Sequence, residues 1–194
     1  MTNDYQYVDL GLPSGTLWAT CNVGAQRPTE IGLFFQWGDT KGYKKSCDEQ
    51  PFVKQSYKFI YNNAFSKYTF TDGKCILDLE DDAAHANMGG SWKMPTIKQL
   101  EELSHNVVFH EYDKCVKLKS KRNNREMILP LNGYYINNTL YACGSNALLW
   151  GCERETKNGH NEYASYFCGS VSNGIFAFTD RLFGFNVRGV INTK

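Results

Sequence analysis

Seven cysteines, four histidines and a short run of acids are the residues of this chain with the means to do chemistry. The cysteines (Cys21, Cys47, Cys75, Cys115, Cys143, Cys152 and Cys168) are odd in number, and none sits in a CxxC pair or beside histidines at zinc spacing. They read as free thiols made in a reducing cytoplasm, with disulfides or a metal as the alternative. Cys143, Cys152 and Cys168 stand in strand-like runs, where a thiol stays inert unless its surroundings stabilise the thiolate. Asp81 and Asp82, with Glu80, offer carboxylate oxygens of the kind calcium takes; at a helix start the same groups cap N–H donors and oppose the dipole, and that is the expected role. His85, His105, His110 and His160 are scattered, with no HExxH and no nucleophile at a fixed spacing, and read as structural or surface residues. Lys117, Lys119, Lys121, Arg122 and Arg125 crowd a hairpin tip, where charge is solvated and protects an edge. Arg188, inside an apolar stretch, is expected to satisfy buried carbonyls or a carboxylate. No catalytic residue, metal ligand or cofactor is predicted.

The elements that position these residues are read from pattern. In "GGSWKMPTIKQLEEL" Thr96 and Gln99 form a capping box, and Ile97, Leu100, Leu103 and Val107 recur at helical spacing, so the segment reads as a scaffold leading into a docked helix. Trp92 is expected in the core. "YVDLGLPSGTLWATCNVG" reads as a half-buried hairpin turning at Pro13-Ser14-Gly15, with Leu17, Ala19, Cys21 and Val23 inward. "RPTEIGLFFQWGD" reads as a first main helix, started by Pro28 and Thr29 and ended by Gly38. From 41 to 74 the pattern is lost among aromatics, an ordered insertion ending at Asp72-Gly73. "DLEDDAAHANMGG" gives a short helix stopped at Gly89. Beyond the capped helix the chain reads as an antiparallel meander of strands with turns at Asn123-Asn124, Asn137-Asn138 and Ser172-Asn173-Gly174.

The totals fit one domain of class α+β. At 194 residues, 42% hydrophobic and 14% aromatic, the chain can bury a sizeable core. With 21 basic against 20 acidic residues there is no electrostatic case for a nucleic-acid or anionic-membrane partner, and no apolar run is long enough for membrane insertion.

Five ordered blocks, "YVDLGLPSGTLWATCNVGA", "GLFFQWGDT", "EDDAAHANMGGSWKMPT", "LPLNGYY" and "GFNVRGV", resemble the Fibrobacter succinogenes major paralogous domain family over nearly the whole chain. That resemblance implies a C-type lectin-like fold related to the formylglycine-generating enzyme group: two main helices on a twisted antiparallel sheet, with the N- and C-terminal strands paired. Two blocks depart from the family pattern, Val187-Arg188-Gly189 where Val-Arg-Pro is common and Trp150-Gly151-Cys152 where Trp-Ser-Ser is usual. The calcium signatures of sugar-binding C-type lectins are missing from the sequence.

The expected function is a non-enzymatic structural or recognition module. Its expected setting is a bacteriophage virion, as a capsid decoration or fibre-associated protein that binds a host surface. A diversity-generating variable protein, a bacterial surface adhesin and a cysteine-dependent oxidase are the alternatives. The chain starts at Met1 without a leader pattern, so synthesis in the cytoplasm and release within a virion are expected, with the bacterial cell surface as the alternative. Partners would be other chains of an assembly, including copies of itself, or a host glycan or protein. The predicted recognition surface is the loop-rich side of the meander: Tyr134, Tyr135, Asn137, Asn138, Tyr141, Trp150, Glu153, Arg154, His160, Asn161 and Tyr163. Tyr, Trp and Arg give contact area and Asn adaptable hydrogen bonds. In this reading the polar loop 158–162, "NGHNE", contacts a partner without supporting the fold.

Overall fold

The run from Ala147 to Arg154 is apolar on both sides of its alternation, as a strand covered on two faces must be. In the computed structural model, which describes residues 5–45, 51–157 and 159–192, that run is a central strand. In chain order the elements are β1 (Tyr7–Val8), β2 (Thr16–Ala19), β3 (Phe34–Phe35), β4 (Ile60–Tyr61), β5 (Ala64–Phe65), α1 (Ala83–Met88), α2 (Ile97–Asn106), β6 (Val107–Tyr112), β7 (Cys115–Ser120), β8 (Glu126–Pro130), β9 (Tyr134–Ile136), β10 (Thr139–Tyr141), β11 (Ala147–Arg154), β12 (Tyr163–Gly169), β13 (Gly174–Asp180), β14 (Phe185–Asn186) and β15 (Val190–Asn192). The fold is mixed α/β, mostly sheet with few helices.

A five-stranded sheet in the order β13-β12-β11-β14-β3 divides the interior in two. On one face Leu148, Trp150 and Phe185 meet Trp37, Tyr57, Phe59, Tyr68 and Met94. On the other, Ala147, Leu149 and Phe167 meet Leu100 and Leu103 of α2, Trp18 of β2, and Val116, Leu118, Met127 and Leu129 of the β6-β7-β8 sheet. Gly151 permits this docking: a Cβ there would lie 2.4 Å from Ser165 Oγ and 3.0 Å from Leu100 Cδ1. Only hydrogen fits.

α2 forms as its sequence dictates. Gln99 N–H donates to Thr96 Oγ1 at 3.3 Å and Thr96 N–H to Gln99 Oε1 at 2.9 Å, completing the capping box. The helix stops at Asn106, whose Nδ2 donates to Glu102 O, and Val107 opens β6 instead of extending the helix, because β-branched Val107 and Val108 find ladder partners in Ser120 and Lys119. Asp82 caps α1 through His85 N–H at 2.9 Å and also accepts from Met94 N–H. Burial raises the Asp82 carboxyl, with these backbone donors acting against that rise. Gly89 ends α1 at φ 72°, and Trp92 is buried, as expected of both.

Several expectations are corrected. The segment from Pro28 to Gly38 is not a helix: Glu30 folds back to accept from Gln26 N–H, Gly32 turns at φ +77°, and only Phe34–Phe35 is regular, as a strand. The reason is a period of two, with Phe35 and Trp37 in the main core and Phe34 in a separate cluster with Phe52 and Tyr135. The two main helices are therefore one, α2, beside the short α1. β2 is buried on both faces, Trp18 included, so its side chains do not alternate between core and solvent as expected; the exposed half of the hairpin is β1, at Tyr7. The terminal strands share one sheet but are not partners: β2 lies between β1 and β15. The meander is divided among separate sheets, and β11 meets β14 in parallel.

The 41–74 segment, of which 46–50 with Cys47 lie outside the described residues, is built into the main core. Tyr57, Phe59 and Tyr68 are buried there. Arg181, fully buried, donates from Nη1 to Lys67 O and Tyr68 O, both at 3.1 Å, and its guanidinium lies 3.7 Å from the centre of the Phe65 ring. Among the described residues its Nε and Nη2 have no hydrogen-bond partner; the faces of Phe65, Tyr57 and Trp37 around the cation compensate.

Candidate recognition surface

The β9–β10 hairpin turns at Asn137 and Asn138, both left-handed at φ 44° and 64°, which is the two-residue turn that matches strand twist. That turn fixes a register in which Tyr134 and Tyr141 are cross-strand partners, and their rings stack at 5.9 Å. Tyr134 stacks in turn on Phe183 at 6.1 Å and meets Phe185 edge-on at 5.7 Å. Phe185 is the buried hub: Trp150 stacks on it at 4.2 Å from below, and Tyr166 and Phe183 lean on it from the sides. The result is a layered aromatic pile rising from Trp150, fully buried, to Tyr141, 45% exposed. Burial raises the Tyr166 phenol, with the thiol of Cys168 and the phenol of Tyr134 adding to the rise.

The remaining predicted residues fall elsewhere. Tyr135 is buried, stacked on Phe52 at 4.8 Å and donating from its hydroxyl to Lys45 O at 2.7 Å, and Asn138 Oδ1 accepts from Phe52 N–H. Both bind the hairpin to the 41–74 segment. Trp150 is core, its indole N–H donating to Phe35 O at 2.7 Å. Glu153 is half-buried, and burial raises its carboxyl. Arg154 is buried and stitches a turn, donating to Lys74 O, Glu155 O and Thr69 O while lying over Phe70. Asn161 Oδ1 accepts from Phe70 N–H at 2.8 Å. The expectation that the 158–162 loop serves a partner without supporting the fold is thus corrected at Asn161, and Arg154, expected on the recognition surface, is buried: backbone groups of the 69–74 turn depend on both. His160 and Tyr163 stack at 4.6 Å on the surface, with Nδ1 of His160 3.0 Å from Glu162. Asn158 lies outside the described residues.

Sequence reasoning missed Tyr166, Phe183 and Phe185. Period-two aromatics in "FGF" and the alternation of "EYASYFCGS" carried the signal.

The acids form a different cluster from the one expected. Asp78, Glu80 and Asp81 each bring a carboxylate oxygen within 4.8 Å of one another, which is cation-site spacing. The Lys67 ammonium supplies the charge, at 2.9 Å from Asp78, 2.9 Å from Glu80 and 2.6 Å from Asp81, with Lys58 and Lys74 adding 2.7 Å and 2.6 Å contacts. Hydrogen bonds from Lys67 and then Lys74 hold Asp78 down to about 2. Burial raises Asp81, but Lys58, Lys67 and the Tyr68 hydroxyl outweigh it and leave it lowered. Of the cysteines described, all six are free. Burial pushes the thiols of Cys115, Cys152 and Cys168 up, away from the reactive thiolate. No helix among the described residues is long and apolar enough to cross a membrane.

No protein-family model, curated protein or solved structure matches this chain. Its class therefore rests on its own architecture, a mixed α/β fold dominated by sheet.

Proposed function

We propose that this chain is a non-enzymatic recognition module with a C-type lectin-like plan, carried on the outside of a larger particle such as a phage virion, where it meets a host surface. The observation that carries the reading is the aromatic pile on Phe185, which holds Tyr134, Tyr166 and Phe183 rigid and offers Tyr141 to solvent. Rigid aromatics lose little entropy on binding, and a hydroxyl on an apolar body suits a partner that is half wet. The suppressed thiols and the lysine-filled acid cluster support a scaffold over a redox or metal site.

The test is surface plasmon resonance of the native chain over envelope polysaccharide and envelope protein from candidate host bacteria. Saturable binding is expected to weaken about tenfold or more in Tyr141→Ala, with Tm unchanged because the side chain is exposed. Undiminished binding by Tyr141→Ala and by Phe183→Ala would overturn the assignment of this face.

A further inference from the structure

β13 is the outer strand of the five-stranded sheet. It pairs with β12 from Tyr163↔Asp180 to Gly169↔Gly174, and no strand among the described residues lies on its other side. The parity of that ladder is fixed at both ends: Arg181 N–H donates to Glu162 O at 2.8 Å, and Ser170 N–H to Asn173 O at 2.8 Å. Antiparallel ladders alternate, so Ile175, Ala177 and Thr179 use their backbone groups on β12, whereas Gly174, Phe176 and Phe178 turn theirs outward, as does the N–H of Asp180, whose carbonyl accepts from Phe183 N–H.

Edge strands are ordinarily defended by lysine, proline or a bulge, because an open row of N–H and C=O groups invites another strand. β13, "GIFAFTD", has no lysine or proline, its pairing to β12 runs without a register shift, and its one charge is the last residue. Apolar side chains flank the edge: Val171 is 40% exposed, Ile175 51% and Phe178 36%.

We propose that β13 pairs antiparallel with β13 of a second copy, about a two-fold axis at Ala177, joining the two sheets into one. The strand is self-complementary in that register. Phe176 falls opposite Phe178 of the second copy, Ile175 opposite Thr179, and Gly174 opposite Asp180. Asp180 O already accepts from Phe183 N–H at 3.1 Å, and the remaining outward backbone groups meet one another, giving about six hydrogen bonds. The two Asp180 carboxylates lie at opposite ends of the pairing, each against a glycine, so no like charges are opposed. A one-residue slip would set outward groups against groups already used on β12. Such an interface is isologous and closes on itself. It is independent of the recognition reading, since Tyr141 is not part of it.

The experiment is sedimentation equilibrium of the native chain with residue-resolved amide hydrogen exchange. A reversible species of twice the 22.1 kDa chain mass is expected, with protection at the Phe176 and Phe178 amides that grows with protein concentration. Phe178→Pro removes an outward donor and no bond to β12, and Phe178→Lys adds a charge to the edge; both are expected to be monomeric with Tm within a few degrees of native. If either variant fails to fold, exchange on the native chain decides. A chain monomeric at every concentration would overturn the proposal. So would a dimer that persists in both variants while the Phe176 and Phe178 amides exchange freely.

Discussion

Arg188 sits fully buried, with no carboxylate of the described residues in an ion pair with it. Its Nε donates to Asn22 Oδ1 at 2.8 Å, Nη1 to Ala19 O and Thr20 O, and Nη2 to Ile128 O at 3.1 Å, so one planar cation joins the end of β2, the middle of β8 and the segment before β15. Burial lowers it to about 10. Arg188→Met should leave four acceptors dry, and a loss of about 3 kcal/mol or more in denaturant-derived stability is the expected outcome. A midpoint within error of native would show that water replaces the guanidinium. That role was legible, because an arginine among apolar strand residues has few other uses. Arg154 and Trp150 were misplaced for an equally physical reason. Alternation along β11 says which side chains share a face, and nothing in it says that the 41–74 segment covers that face.

Among the elements, α2 shows how a local signal can also carry long-range weight. Gln99 closes the capping box, and its Nε2 also donates to Thr16 Oγ1 and Asn192 Oδ1, both at 3.0 Å, while Glu102 accepts from the backbone and hydroxyl of Ser14. Gln99→Ala is therefore expected to cost about 2 kcal/mol, more than a surface change such as Lys98→Ala at under about 0.5 kcal/mol, measured by urea midpoints at constant m. Equal midpoints would mean that the two distant contacts contribute nothing. The capping box, the Gly89 stop and the asparagine turns were readable because each is set by residues a few positions apart. The 28–38 segment was not, because Pro28, Thr29 and Gly38 punctuate a turn-and-strand as well as they do a helix. Its two-residue alternation is short enough to pass for one face of a helix.

For the molecule as a whole, the lysine-filled acid cluster ties the 41–74 segment to the start of α1. Asp78 and Asp81 have folded values below their ordinary ones, so their contribution is fully present above about pH 4 and is lost as pH falls towards about 2. Because Tyr57, Phe59 and Tyr68 of that segment belong to the main core, acid should unfold the chain in one step. Lys67→Met should lower stability at neutral pH and flatten the dependence between about pH 4 and 2, read as urea midpoints across that range. A native-like slope in the variant would place the acid sensitivity elsewhere. The mixture of sheet and helix could be read from composition and pattern; which strands pair could not, because partners lie far apart along the chain. Thr16 reaches Asn192 across 176 positions, and Arg188 reaches Ala19 across 169. That closure has a consequence during synthesis. A nascent chain holds the β15 side of β2 unpaired until residues 190–192 have been made, and the Thr16 to Asn192 contact spans 176 positions, a long loop whose closure makes the event slow. β13 is made only a dozen residues or so before β15, so its open edge spends little time beside a sheet that still lacks its closing strand.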